Sequence, residues 1–190
     1  MYLKKNMNNT VIKDILSCHI VPFEISDEKV TLLFSYFLHL APTINSNSAK
    51  QMSESSYDLV WKQFLQDSKL DKKDYYIYAP GYIKNKQLAS YRLTETEVVR
   101  RNRKGFVCCY KENESYPIEC VLRHIRNSIA HSNVYMLDKG RKYIIFDDYN
   151  KKGHMSARFL LSQTDLSILK KLLKSKEVTE WQADFIYDRV

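Results

Sequence analysis

Pro117-Ile-Glu-Cys-Val-Leu-Arg-His-Ile-Arg-Asn-Ser-Ile-Ala-His131 is the stretch whose physical reading orders the rest of the chain. At about 100° per residue, Ile118, Val121, Leu122, Ile125 and Ile129 fall on one arc, which predicts an amphipathic helix with that arc buried. Pro117 suits the first turn, where its missing N–H leaves nothing unpaired, and Ser132-Asn133 supply a stop. Arg123, His124, Arg126, Asn127 and His131 occupy the other side, with Asn127 and His131 one turn apart. Two guanidiniums, two imidazoles and an amide are therefore expected to face outward together from a motif helix over 117–132.

Downstream, Lys142 to Asp148 and Met155 to Leu161 flank the turn-rich Asn150-Lys151-Lys152-Gly153 and predict a β-hairpin over 142–161. Asp147 and Asp148 would point to opposite strand faces, which argues against a shared magnesium ion and for a surface turn. Thr164 then opens a helix carrying Leu166, Leu169 and Leu173, and Trp181 with Phe185 indicates a final one.

Upstream, Ser26 is the expected N-cap of a helix that places Val30, Leu33, Phe34, Phe37 and Leu38 on one face and stops before Pro42. Residues 43–55 read as a loop. Tyr57, Val60, Trp61, Phe64 and Leu65 repeat at helical spacing, and Tyr75 to Ala79 is a short extended piece ending at Pro80-Gly81. Thr94 and Glu97 have the form of a capping box, from which a basic helix is expected to run through Arg100, Arg101, Arg103 and Lys104 until Gly105. That cluster reads first as a solvated helix face and second as an RNA track. Residues 1–25, basic and rich in Asn, predict a loosely ordered start. The order is helices, hairpin, helices, within a single domain over 1–190 that is mainly α with a small β-hairpin after the motif helix.

Composition narrows the function classes. The 190 residues are 44% hydrophobic and 27% charged, as in a chain that folds around one core. Thirty Lys and Arg against twenty-two Asp and Glu leave a net charge of +8, a field that draws phosphates and acidic partners without naming one. Cys18, Cys108, Cys109 and Cys120 form no paired spacing, so reduced thiols and a cytoplasmic location are expected; the same cysteines with His124 lack zinc spacing. The longest apolar run, Val30 to Leu40, is too short to span a bilayer, and no membrane partner is expected. With four glycines the chain holds no phosphate-binding loop or nucleophile elbow, and no cofactor is expected.

Within Leu122 to His131, the run Arg126-Asn127-Ser128-Ile129-Ala130-His131 resembles the Arg-polar-x(3)-His signature of HEPN (higher eukaryotes and prokaryotes nucleotide-binding) ribonucleases. The hairpin and the helix that follow are similar to those of small stand-alone prokaryotic HEPN proteins. The resemblance implies a HEPN-type helical bundle whose motif helix pairs with its copy in a homodimer, so that two Arg and His pairs line one cleft. It also implies a metal-independent endoribonuclease, a toxin or phage-defence setting, and an antitoxin partner such as a small nucleotidyltransferase.

The residue types suit that chemistry. Each RNA phosphate lies beside a 2′-hydroxyl, and an imidazole, titrating near about 6.5 when unperturbed, can remove its proton at neutral pH. His131 is the candidate base. A guanidinium supplies fork-like donors to the phosphorane without a metal, which is the role of Arg126, and Asn127 supports either partner. Arg126 and His131 lie about 140° apart around an ideal helix, so one protomer alone converges them poorly and a two-fold axis would help. Arg123 reads as a phosphate contact or a solvated charge. His124, outside the motif, reads as an RNA contact or an ordinary exposed histidine. The rivals are a non-catalytic HEPN module that binds nucleotide, RNA or protein, and a basic regulatory protein that uses Arg100 to Lys104.

Overall fold

The computed structural model describes residues 27–42, 52, 54–100, 104–137 and 143–187. The 1–25 segment, Arg101 and Arg103 lie outside them. Helix α1 (Glu28–His39) starts from Asp27, whose carboxylate accepts from the Lys29 and Val30 amides at 3.0 and 3.4 Å. Helix α2 (Glu54–Asp67), strand β1 (Tyr75–Tyr78), helix α3 (Asn85–Ser90) and helix α4 (Glu95–Arg100) follow. Next come β2 (Gly105–Cys109), the motif helix α5 (Pro117–Ala130), β3 (Val134–Leu137), β4 (Tyr143–Tyr149), β5 (Met155–Ser162) and one long helix α6 (Gln163–Tyr187).

The mainly-α expectation is overturned. The five strands form one mixed sheet in the order β1-β2-β5-β4-β3, with β1 parallel to β2 and every other pair antiparallel, so the chain is an α/β protein. The expected hairpin is present as β4 and β5, but it lies inside this sheet and is not an appendage to a bundle. Gly105, expected to stop a basic helix, opens a strand, Gly105–Cys109, that is buried throughout. The two helices expected after residue 163 are one.

Both sheet faces are covered, which removes the apolar-polar alternation that would have marked the strands. On one face, Phe106, Cys108, Ile144, Phe146, Ala157, Phe159 and Leu161 pack against α1, α2, α5 and α6 in the main core. Phe106 stacks between Tyr75 and Phe159 with ring centroids 5.1 Å from each. On the other face, Val107, Cys109, Ile145 and Leu160 meet Ile83, Leu88, Leu93 and Val98 from the α3–α4 region. No helix among the described residues is long and apolar enough to cross a membrane.

Candidate functional site

Helix α5 begins as its sequence predicts. Pro117 occupies the first turn, and Glu119 Oε2 turns back to accept from the Ser115 and Tyr116 amides, each at 3.1 Å. Its end is equally local. Ser132 adopts φ +57°, Asn133 N donates to Ser128 O at 2.9 Å, and Ser132 N donates to Ile129 O at 3.1 Å, so the chain turns out of the helix after His131. His131 is the C-cap residue and is exposed.

Arg126 and Asn127, half-buried, are each held by a partner remote in sequence. Arg126 Nε donates to Leu38 O at 3.2 Å, a carbonyl in the last turn of α1 that the helix leaves unpaired and that sits at its negative end. Among the described residues the two Nη groups of Arg126 have no partner, so the guanidinium is anchored by one nitrogen with its fork free. Asn127 Nδ2 donates to Asp148 Oδ2 at 3.2 Å. Within one protomer no hydrogen bond among the described residues joins Arg126, Asn127 or their anchors to the His131 ring.

The outward-facing arc is half right. His124 is fully buried, with Nδ1 2.7 Å from Asp148 Oδ2 and Nε2 2.8 Å from the Cys109 carbonyl oxygen. Arg123 is ion-paired to Glu114, donates through Nη2 to the Cys109 carbonyl at 2.9 Å, and lies 3.0 Å from His124 Nε2. Neither side chain stands free in solvent as the wheel suggested, because the α5 face bearing them is packed over the ends of β2 and β4. Lys104 pairs with Asp165 at 2.6 Å at the start of α6, and Arg100 ends α4.

Asp148 organises this ground. Alternation along β4 sends Asp148 to the α5 face and Asp147 to the other, where Arg158 Nε and Nη2 grip it at 2.8 and 2.6 Å. Both aspartates are buried, which corrects the surface-turn reading. Burial disfavours the Asp148 carboxylate, but the His124 bond and charge, Asn127 and Arg123 outweigh it and hold Asp148 below the usual range. Burial likewise opposes a charged His124, and the Asp148 and Cys120 bonds overcome it, so the ring titrates above its ordinary value. Glu114 is lowered, with the Arg123 bond overcoming burial. Arg123, Glu114, His124 and Asp148 thus form one linked polar cluster beneath α5.

Cys108, Cys120 and His124 bring three ligand-type atoms within 4.8 Å of one another, a grouping that sequence spacing did not reveal. The thiols are 3.5 Å apart, and the bond from Cys108, with help from His124, holds Cys120 well below the usual thiol range. Arg123 Nη2 sits 3.8 Å from Cys120 Sγ and already supplies positive charge there, so a metal would have to displace a guanidinium.

The family model described as HEPN pEK499 p136 matches residues 2–182. The chain belongs to the HEPN family. No curated protein and no solved structure matches it. In general terms, HEPN membership supports a nuclease or RNA-binding function. Arg126, Asn127 and His131 stand out in the sequence of this HEPN chain as candidates, whereas Asp148, Glu114 and the Cys109 carbonyl, which the structure gathers beneath the same helix, do not. An acid pair inside the apolar run Ile144-Ile145-Phe146-Asp147-Asp148 was the available signal, since a strand there must bury one acid on each covered face.

Proposed function

We propose that this HEPN protein is a metal-independent endoribonuclease that acts as a homodimer. His131 removes the 2′-hydroxyl proton, and the 2′-oxygen attacks the adjacent phosphorus. The bond from phosphorus to the 5′-oxygen breaks and that oxygen takes a proton from water while His131 gives up its own to solvent, leaving a cyclic phosphate on one fragment and a 5′-hydroxyl on the other. Arg126 stabilises the phosphorane, and Asn127, held by Asp148, orients the phosphate or the imidazole.

One observation carries the reading. Arg126 is fixed through Nε while its Nη fork has no partner among the described residues, which is how a donor prepared for developing negative charge is built. The exposed His131 at the helix end is accessible to a polymer and to a second copy, and an isologous contact between two α5 ends would bring two such pairs together. A toxin or phage-defence role with an antitoxin partner is the biological setting of this proposal.

The alternative is a non-catalytic module that binds RNA, nucleotide or protein. Purified wild type and His131→Ala, incubated with total RNA, separate the two. Wild-type cleavage with cyclic-phosphate ends, lost in His131→Ala, supports the enzyme. Intact RNA with both proteins, or equal cleavage by both, removes it. Expression of the same pair in cells adds a growth readout for the toxin setting.

A further inference from the structure

Residues 75–93 hold five tyrosines, three cations (Lys84, Lys86 and Arg92) and no Asp or Glu, in a chain with twenty-two acids. Tyr75 turns into the main core, stacked on Phe106. The next residue goes the opposite way. Tyr76 lies on the outer sheet face at the free edge of β1 and is 46% exposed, with its ring centroid 4.3 Å from that of Tyr78 and 6.0 Å from that of Tyr91.

A second exposed aromatic group lies at the end of the same sheet. Tyr82 remains 47% exposed although the His154 ring is 4.9 Å away and Lys84 Nζ is 5.8 Å from its centroid. The backbone bond from Ile83 N to Met155 O, 2.8 Å, fastens this loop beside the β4–β5 turn. That turn contributes exposed Lys151 and Lys152, and residues 149–158 again contain no acid.

Large aromatic faces left in water cost free energy unless something covers them, and the flanking charge selects the cover. A protein partner rich in apolar groups would offer nothing to the Lys84 and Lys86 ammonium groups. A duplex would offer phosphates but keep its bases out of reach. A single strand offers both, bases to stack on tyrosine rings and a backbone for the cations.

We propose that Tyr76 and Tyr82, with Lys84 and Lys86, form a stacking platform for single-stranded RNA. Tyr76 lies on the sheet face away from α5 and Tyr82 in the loop after β1, and the platform acts on substrate capture. The choice of RNA as the polymer rests on the reading in the preceding subsection; the platform itself rests on the tyrosines and their charge.

The test uses full-length protein and a fluorescein-labelled 12-nucleotide single strand with 2′-O-methyl riboses, which cannot be cleaved by 2′ attack, read by anisotropy. Tyr76→Ala and Tyr82→Ala are expected to weaken binding at least five-fold each, while Tyr82→Trp keeps or tightens it. The blunt duplex of the same sequence is expected to bind more weakly than the single strand. Wild-type affinity in the alanine double variant, with unchanged circular dichroism, overturns the proposal, as does equal affinity for duplex and single strand. Cleavage of a dinucleotide too short to span both sites is expected to be unchanged in the tyrosine variants. Failure of nuclease activity with platform binding intact sinks only the earlier reading.

Discussion

His124 Nδ1 and Asp148 Oδ2 are 2.7 Å apart across a sequence separation of 24 residues, joining the face of α5 to the end of β4 beneath the motif. Asp148 also receives the Asn127 amide, so one carboxylate fixes the helix and orients a motif residue. Removing it alone strands a buried imidazole and costs stability on the order of 3 kcal/mol.

The pH dependence of that loss has a defined sign. His124 titrates above its ordinary 6.5, so its contribution is full below that value and fades as pH rises through the raised folded pKa. Asp148 titrates below its ordinary 3.8, so its contribution is present above that value and fades as pH falls through the lowered folded pKa. The stability gap between wild type and Asp148→Asn is therefore expected to be widest at mildly acidic pH and to shrink on the alkaline side. Urea unfolding at pH 5.5 and pH 9 checks this, and a gap that grows at pH 9 contradicts it.

The second aspartate makes a separate structural prediction. Asp147 and Arg158 form a fully buried two-pronged ion pair, and the Tyr149 hydroxyl donates to the same carboxylate at 3.4 Å. Asp147→Asn is expected to cost roughly 3–5 kcal/mol, because Arg158 would keep its charge without its partner. Replacing both as Asp147→Leu with Arg158→Met should recover most of it. Denaturant midpoints of the single and double variants measure this.

Lys104 separates a structural cation from an RNA track. Its ammonium meets Asp165, whose other oxygen accepts from Ser162 N and Oγ at the start of α6. Lys104→Gln is expected to lower stability by about 1 kcal/mol or less, given its partial exposure, and to leave the salt dependence of RNA binding unchanged. A salt slope reduced by about one would place Lys104 on the phosphate path.

Legibility followed local physics. Helix α5 was readable to within two residues because its apolar arc, Pro117 and the Ser132-Asn133 stop are encoded in neighbouring residues, and the β4–β5 hairpin was readable from its turn. Strand β2 was not. Gly105-Phe-Val-Cys-Cys109 is covered on both sides by segments far away in sequence, so it shows no alternation and follows directly on a basic stretch. The same double cover hid the burial of Asp147 and Asp148, whose partners Arg158, His124 and Asn127 lie on other elements. Helical-wheel logic likewise sent His124 outward, because it counts residues on one helix and not the strands beneath it.

Arg126 divides its duties between α1 and the proposed chemistry, and a conservative pair of substitutions tells them apart. If its role were only to satisfy the Leu38 carbonyl, Arg126→Lys would keep one donor and one charge there, and RNA cleavage would survive. The phosphorane asks for more, since two parallel N–H donors from a planar fork are lost in an ammonium. Arg126→Lys is therefore expected to lower kcat by about 10²–10³ with KM little changed, while the lost bond to Leu38 O costs stability only on the order of 1 kcal/mol. Adding EDTA is expected to leave the wild-type rate unchanged. Wild-type turnover by Arg126→Lys, measured on a labelled RNA with EDTA present, would reduce Arg126 to a helix cap and remove it from the reaction.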